Sequence, residues 1–176
     1  MTWYSQEAYD IRFEWGIEGA KNLSAQVDVA IVVDVLSFSS CVDMAVSRGA
    51  ILYPFLFKDD RARELANNIG AKLASPTRSK NELCLSPATM NLLNANDKVV
   101  LPSPNGSSIS FEIQCKTVIC GSLRNAEAVA RHALSVGSKI LVIAAGEKWK
   151  SGESLRPSLE DQIGAGAIIS YLTGSK

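Results

Sequence analysis

The sequence alternates short apolar runs with amphipathic segments, and this alternation restricts the possible folds more than any other feature. The clearest run is VAIVVDVL, residues Val29–Leu36, which is β-branched and uninterrupted up to Asp34. Such a run is typical of a strand covered on both faces, as in a parallel sheet. The amphipathic segments supply connecting helices. We therefore predict an α/β fold, a three-layer sandwich with a largely parallel or mixed central sheet.

The element bounds follow from periodicity and from breaking residues. YDIRFEW, residues Tyr9–Trp15, alternates with a period of two and predicts a half-exposed edge strand. The other predicted strands are Val29–Leu36, Ile51–Phe55, Lys98–Leu101, Thr117–Cys120 and Lys139–Ala145. The predicted helices are Cys41–Ser47, Asp59–Asn68, Arg124–Ser135 and Ser158–Leu172.

Size and charge restrict the class of protein. A chain of 176 residues with 47% hydrophobic content fits one domain, residues 1–176. Its 18 basic residues balance 18 acidic ones, so nothing favours nucleic acid or a membrane as partner. We expect a cytoplasmic protein, because the chain shows neither a leader nor a spanning run. The four cysteines form no CxxC pair and His132 is the single histidine, which argues against structural zinc.

Polar residues gather in the loops that follow four of the predicted strands. In an open parallel sheet, ligands bind outside the carboxyl ends of the strands, so these loops should meet at one crevice. The residues expected there are Asp34, Ser37, Ser39, Asn105, Gly106, Ser107, Ser108, Ser122, Arg124, Asn125, Glu147, Arg156, Glu160 and Asp161.

This set combines anion-binding groups with an excess of acids. Backbone N–H groups at an expected helix start near Gly106, together with Arg124 and Arg156, suit phosphate or carboxylate oxygens. The acids outnumber the arginines, and Mg²⁺ would offset the difference. The predicted metal ligands are Asp34, Glu147, Glu160 and Asp161.

Several of these residues also have structural interpretations. Ser158 with Asp161 fits a helix-capping box, and Asn105-Gly106 is a common turn pair. Asp34 requires a partner, because it ends a fully apolar strand. Whether it serves as ligand, base or nucleophile stays open.

Other motifs exclude or weaken alternative functions. No GxxxxGK[ST] loop occurs, which excludes that type of ATP or GTP hydrolysis. The GAGA stretch, residues Gly164–Ala167, follows no strand and indicates close helix packing more than a dinucleotide site, so a nucleotide-dependent oxidoreductase has little support. His132, the single histidine, lies in the interior of a predicted helix, which argues against a Ser-His-Asp triad, and it is expected at the surface.

Four segments in order, VVDVLSFSS, SPNGSS, GSLRNAEAVA and AGE…SLRPSLEDQIGAGAI, resemble the 2-phosphosulfolactate phosphatase family over about Tyr9 to Leu172. The resemblance implies an α/β, Mg²⁺-dependent phosphatase of coenzyme M biosynthesis, acting on a small sulfonated, phosphorylated hydroxy acid. The positions it carries over are Asp34, Asn105, Gly106, Ser122, Asn125, Glu147, Glu160 and Asp161.

Three departures from the family pattern stand out. Ser37-Phe38-Ser39 replaces the Arg-Ala-Ser/Thr expected after DVL, and of a later arginine-containing stretch only Arg78 and Ser86-Pro87 remain. The chain stops at Lys176, before a helical segment usual in the family.

The predicted function is Mg²⁺-dependent hydrolysis of a small phosphorylated sulfo- or carboxy-hydroxy acid. The expected catalytic residues are Asp34, Asn105, Ser122 and Asp161. The expected substrate-binding residues are Ser37, Ser39, Gly106, Ser107, Arg124, Asn125 and Arg156. A catalytically inactive module that binds a phosphorylated ligand is the alternative, and a homodimer stays open.

Overall fold

The structure is a computed structural model that describes residues 2, 4–57, 59–150, 152 and 154–174. The predicted domain boundary at Lys176 lies outside these residues. In chain order the strands are β1 (Ile11–Trp15), β2 (Val29–Val33), β3 (Ile51–Phe55), β4 (Lys72–Leu73), β5 (Lys98–Pro102), β6 (Thr117–Gly121), β7 (Ile140–Ala144), β8 (Glu147–Lys148) and β9 (Leu155–Arg156).

The helices alternate with these strands, as the sequence predicts. They are α1 (Gly16–Leu23), α2 (Phe38–Ser47), α3 (Asp60–Ile69), α4 (Gly106–Glu112), α5 (Ala126–Val136) and α6 (Leu159–Thr173), with 3₁₀ turns at Ser24–Gln26 and Pro87–Leu92. Helix α1 was not predicted, and α4 was expected only as a helix start near Gly106, without bounds. Helix α1 starts at the residue after β1, which leaves no loop to signal it, and α4 is a short serine-rich helix inside the predicted polar loop.

The strands form two parallel sheets and one antiparallel hairpin. The first sheet has the order β1-β7-β2-β6, the second has the order β3-β5-β4, and β8 pairs with β9. Strand β1 lies at an edge of the first sheet, as its alternating pattern predicts. The predicted α/β class with parallel pairing is confirmed, and the division into two sheets is a feature that local periodicity does not reveal.

Helices cover both faces of the first sheet, which gives the predicted three layers. Strands β2 and β7 are buried at all five positions. One face packs against α5 and α6, and the opposite face packs against α1 and α4. Gly164 of α6 lies close to β2: a Cβ there would stand 2.8 Å from Val35 Cγ2 and 3.0 Å from Val33 Cγ1. The GAGA stretch therefore serves close helix packing, as expected.

Strand register brings the loops to a common edge. Val33 pairs with both Gly121 and Ala144, and Trp15 also pairs with Ala144, so the first sheet ends at one level. The four cysteines are free thiols. None of the described helices is both long and apolar enough to cross a membrane.

Candidate active site

Asp34 follows β2 and joins the two sheets. Its Oδ2 accepts a hydrogen bond from the Gly106 N–H at 2.9 Å, and its Oδ1 accepts one from the Phe38 N–H at 3.3 Å. Gly106 follows β5 of the second sheet, so this bond links the ends of both sheets. A Cβ at Gly106 would overlap the buried Phe38 ring and stand 2.9 Å from Asp34 Oδ2. Glycine is therefore required sterically for the approach.

Asp161 lies in the first turn of α6 and is held in the same manner. Its Oδ1 accepts from the Val35 N–H at 2.8 Å, and its Oδ2 accepts from the Gly146 N–H at 2.9 Å. Because Val35 directly follows Asp34, the two carboxylates are neighbours. The capping-box interpretation is wrong: Ser158 makes no side-chain cap bond, and its buried Oγ has no partner among the described residues.

Both carboxyl groups have raised pKa values. Burial raises the pKa of Asp34 from 3.8 to about 6, backbone hydrogen bonds oppose the rise, and the charges of Glu147 and Glu160 add to it. Burial likewise raises the pKa of Asp161 to about 6, with contributions from the charges of Asp34 and Glu160. Asp34 therefore lies within electrostatic reach of Glu147 and Glu160, and Asp161 within reach of Asp34 and Glu160.

The asparagine-glycine loop supplies a positioned amide. Asn105 Nδ2 donates to Glu147 Oε2 at 2.9 Å, which connects this loop to the hairpin after β7. The Gly106 N–H, predicted to bind an anion, instead donates to Asp34. Ser107, predicted to contact substrate, is fully buried and its hydroxyl faces the Leu101 carbonyl at 3.4 Å.

The loop after Asp34 is shaped by its serines. Ser39 is fully buried; its Oγ accepts from the Asp34 N–H and donates to the Val32 carbonyl, each at 3.0 Å. Ser37 Oγ accepts from Arg78 Nη2 at 3.2 Å. Arg78 was absent from the predicted site residues, since it lies 41 positions from Ser37. Two signals in the sequence could have identified it: the absence of an arginine at Ser37, and the retention of Arg78 from an arginine-containing stretch of the family pattern.

Asn125 stabilises the loop that follows β6 through two hydrogen bonds. Its Oδ1 accepts from the Ser122 N–H at 2.8 Å and its Nδ2 donates to the Cys120 carbonyl at 3.2 Å. Ser122 is fully buried. Arg124 forms an ion pair with Asp43 of α2 at 2.9 Å. Arg124, which was predicted to line the crevice, is therefore directed towards α2.

Arg156 lies in β9, with its guanidinium carbon 5.9 Å from the ring centroid of Trp149. The structure thus places Asp34, Asn105, Glu147 and Asp161 together and directs Arg124 to Asp43. Arg156 lies opposite Glu147 in the β8–β9 hairpin, with its guanidinium near Trp149. Such a concentration of buried acids at the carboxyl edge of parallel strands is typical of α/β enzymes.

Comparison with known proteins gives the family. The family model described as 2-phosphosulpholactate phosphatase matches residues 18–176, and the chain belongs to this family. A probable 2-phosphosulfolactate phosphatase of Carboxydothermus hydrogenoformans is 29% identical over 162 residues, covering 87% of this chain and 64% of the relative. One of Deinococcus radiodurans is 29% identical over 154 residues, covering 82% and 62%. The chain spans less than two thirds of either relative.

Proposed function

We propose that this protein is a Mg²⁺-dependent phosphomonoester hydrolase acting on a small phosphorylated hydroxy acid that resembles 2-phosphosulfolactate. The observation that carries the proposal is the pair Asp34 and Asp161: both are buried, each carboxylate oxygen is oriented by a backbone N–H, and the charge of Asp34 acts on Asp161. Family membership and the names of both relatives support the reaction class.

The donor set suits Mg²⁺. Each carboxylate oxygen of Asp34 and Asp161 accepts one backbone hydrogen bond and keeps a further lone pair for a cation. The described residues contain no group of three His, Cys, Asp or Glu arranged for a metal. Mg²⁺ commonly takes only one or two carboxylates and fills its remaining positions with water and phosphate oxygens. Asp34 and Asp161 would hold it, with Glu147 and Glu160 adding negative charge nearby.

When bound, Mg²⁺ supplies charge neutralisation and lowers the pKa of a coordinated water. The chain contributes preorganisation: Asp34 and Asp161 are fixed before substrate arrives, so little rearrangement is needed during reaction. The Asn105 amide and the Arg78 guanidinium supply donors for phosphoryl oxygens, and the arginine adds positive charge. Arg78 thus places a cation beside Ser37, where the family pattern has arginine.

A phosphate-release assay with 2-phosphosulfolactate and related phosphorylated hydroxy acids tests the proposal. We expect Mg²⁺-dependent release that EDTA abolishes, with a loss of at least about 100-fold in kcat/KM for Asp34→Asn and Asp161→Asn. Asp60→Asn, an exposed acid in α3, is the matched control and should retain activity. Calorimetry with Mg²⁺ provides a readout independent of turnover. Binding of esters without release, unaffected by Asp34→Asn, would instead identify an inactive module.

A further inference from the structure

A cavity of about 450 Å³ adjoins the carboxylate pair. Asn105 and Glu147, which line it, connect it to both acids. Asn105 directly precedes Gly106, whose N–H donates to Asp34, and Glu147 directly follows Gly146, whose N–H donates to Asp161. The cavity, here called the side cavity, therefore begins one residue from each of the two backbone groups that anchor the acids.

The walls of the side cavity are mainly apolar. Trp15, Ile17 and Leu155 form much of them. Leu155 packs against Gly146 (φ 65°) and Gly16 (φ 62°), which both have a left-handed backbone. A Cβ at Gly146 would stand 2.7 Å from Leu155 Cδ1, and a Cβ at Gly16 would stand 3.2 Å from the same atom. Glycine adopts this conformation without strain and leaves room for the leucine side chain. The sequence thereby maintains an apolar wall beside the acids.

The charged groups around the side cavity balance. Two are acidic and two are basic, namely Glu18, Glu147, Lys21 and Lys148. Lys21 already faces Glu18, with Nζ 3.7 Å from Oε1. A sulfonate on the substrate would find no excess of positive charge here, whereas an uncharged apolar group would displace water from apolar walls.

The volume also exceeds the needs of a three-carbon acid. Cavities of roughly 300–1,000 Å³ hold ligands the size of drug molecules, and mainly apolar walls with a few polar groups are typical of them. We propose that this chain acts on phosphorylated hydroxy acids that carry an uncharged aryl or branched-alkyl group in place of the sulfonate, with that group held against Trp15, Ile17 and Leu155. This inference rests on the proposed phosphatase function.

Two esters with a common scaffold test the inference. They are 2-phosphosulfolactate and 2-phospho-3-phenyllactate, which differ in having a sulfonate or a phenyl group on the third carbon. We expect wild-type kcat/KM to be at least about tenfold higher for the phenyl ester. Leu155→Lys, at a position 39% exposed, introduces positive charge into the wall and should reduce this ratio at least about tenfold. Leu134→Lys, 48% exposed on α5, should leave the ratio unchanged.

Calorimetry with the non-hydrolysable phosphonate analogues of both esters separates recognition from turnover. Preferred binding of the phenyl analogue without phosphate release would support recognition of the phenyl group by the side cavity and would overturn the hydrolysis that the proposed function supplies. Hydrolysis with a preference for the sulfonated ester overturns the inference and leaves the phosphatase function intact. The inference is also overturned if Leu155→Lys changes neither the ratio of the kcat/KM values for the two esters nor the ratio of the affinities for their two analogues. Failure of both esters and both analogues overturns the two proposals together.

Discussion

Stability is expected to fall as the pH rises from about 4.5 to 7.5, and Asp34→Asn should remove at least half of this fall. Burial raises the pKa of Asp34 and of Asp161 from 3.8 to about 6. A carboxyl group whose pKa is higher in the folded state binds protons more tightly there, so its ionisation destabilises the fold. Ionisation of each group lowers the free energy of unfolding by about 2 kcal/mol over this window, since one pKa unit corresponds to about 1.4 kcal/mol.

The wild-type protein should therefore lose up to about 4 kcal/mol of unfolding free energy across this range. Asp34→Asn should lose about 2 kcal/mol or less, because removal of the Asp34 charge also relieves Asp161. Asp59 and Asp97, whose pKa values are lowered mainly by hydrogen bonds to Arg61 and the Asn94 N–H respectively, contribute stability that is lost as the pH falls below about 4, outside this window.

Urea unfolding at several pH values in metal-free buffer measures these differences. Asp161→Asn should behave as Asp34→Asn does, and the exposed Asp60→Asn should keep the full wild-type dependence. Asparagine preserves the volume of the side chain but keeps only one acceptor oxygen, so one backbone N–H loses its partner and the variants are less stable at every pH. The comparison is therefore made between the pH dependences and not between the absolute stabilities. A wild-type stability that stays constant or rises between pH 4.5 and 7.5 would refute the assignment of buried, destabilised carboxylates.

Five further substitutions, used in three tests, examine the packing and the charges around the site. Gly106→Ala should destabilise the protein by about 1–3 kcal/mol in urea unfolding and lower phosphatase activity, because the new Cβ overlaps Phe38 and crowds Asp34; wild-type stability and activity would contradict this. Gly164→Ala should also destabilise the protein, since the new Cβ would contact Val35. Gly166→Ala in the same helix places a Cβ with no atom within 4 Å and should stabilise the protein by about 0.5–1 kcal/mol. Equal effects of the two substitutions would contradict the packing of α6. Arg78→Ala should raise KM for phosphorylated substrates about tenfold with little change in stability, and Arg124→Ala, which loses the Asp43 pair, should raise it less; the reverse order would favour the original prediction for Arg124.

The six longer strands and most of the helices could be predicted from the sequence, because the signals that specify them are local. The two-residue strands β4, β8 and β9 were not predicted, since so short a segment shows no periodicity. The β-branched run at Val29–Val33 is buried on both faces in any parallel sheet, and Gly70 ends α3 in a left-handed conformation. Asp34 was identifiable as a candidate site residue for the same reason: a carboxylate at the end of a buried strand requires a partner.

The identity of each partner depended on tertiary structure. The bond from Gly106 to Asp34 spans 72 positions, and the bond from Val35 to Asp161 spans 126. Arg78 donates to Ser37 from the loop that follows β4, and Arg124 pairs with Asp43 of α2. Leu155 forms a wall of the side cavity only because two distant glycines lie beneath it. The periodicity of a sequence indicates which face of a helix or strand is buried. The packing of the two sheets determines which loops come into contact, and therefore which backbone donor orients each carboxylate.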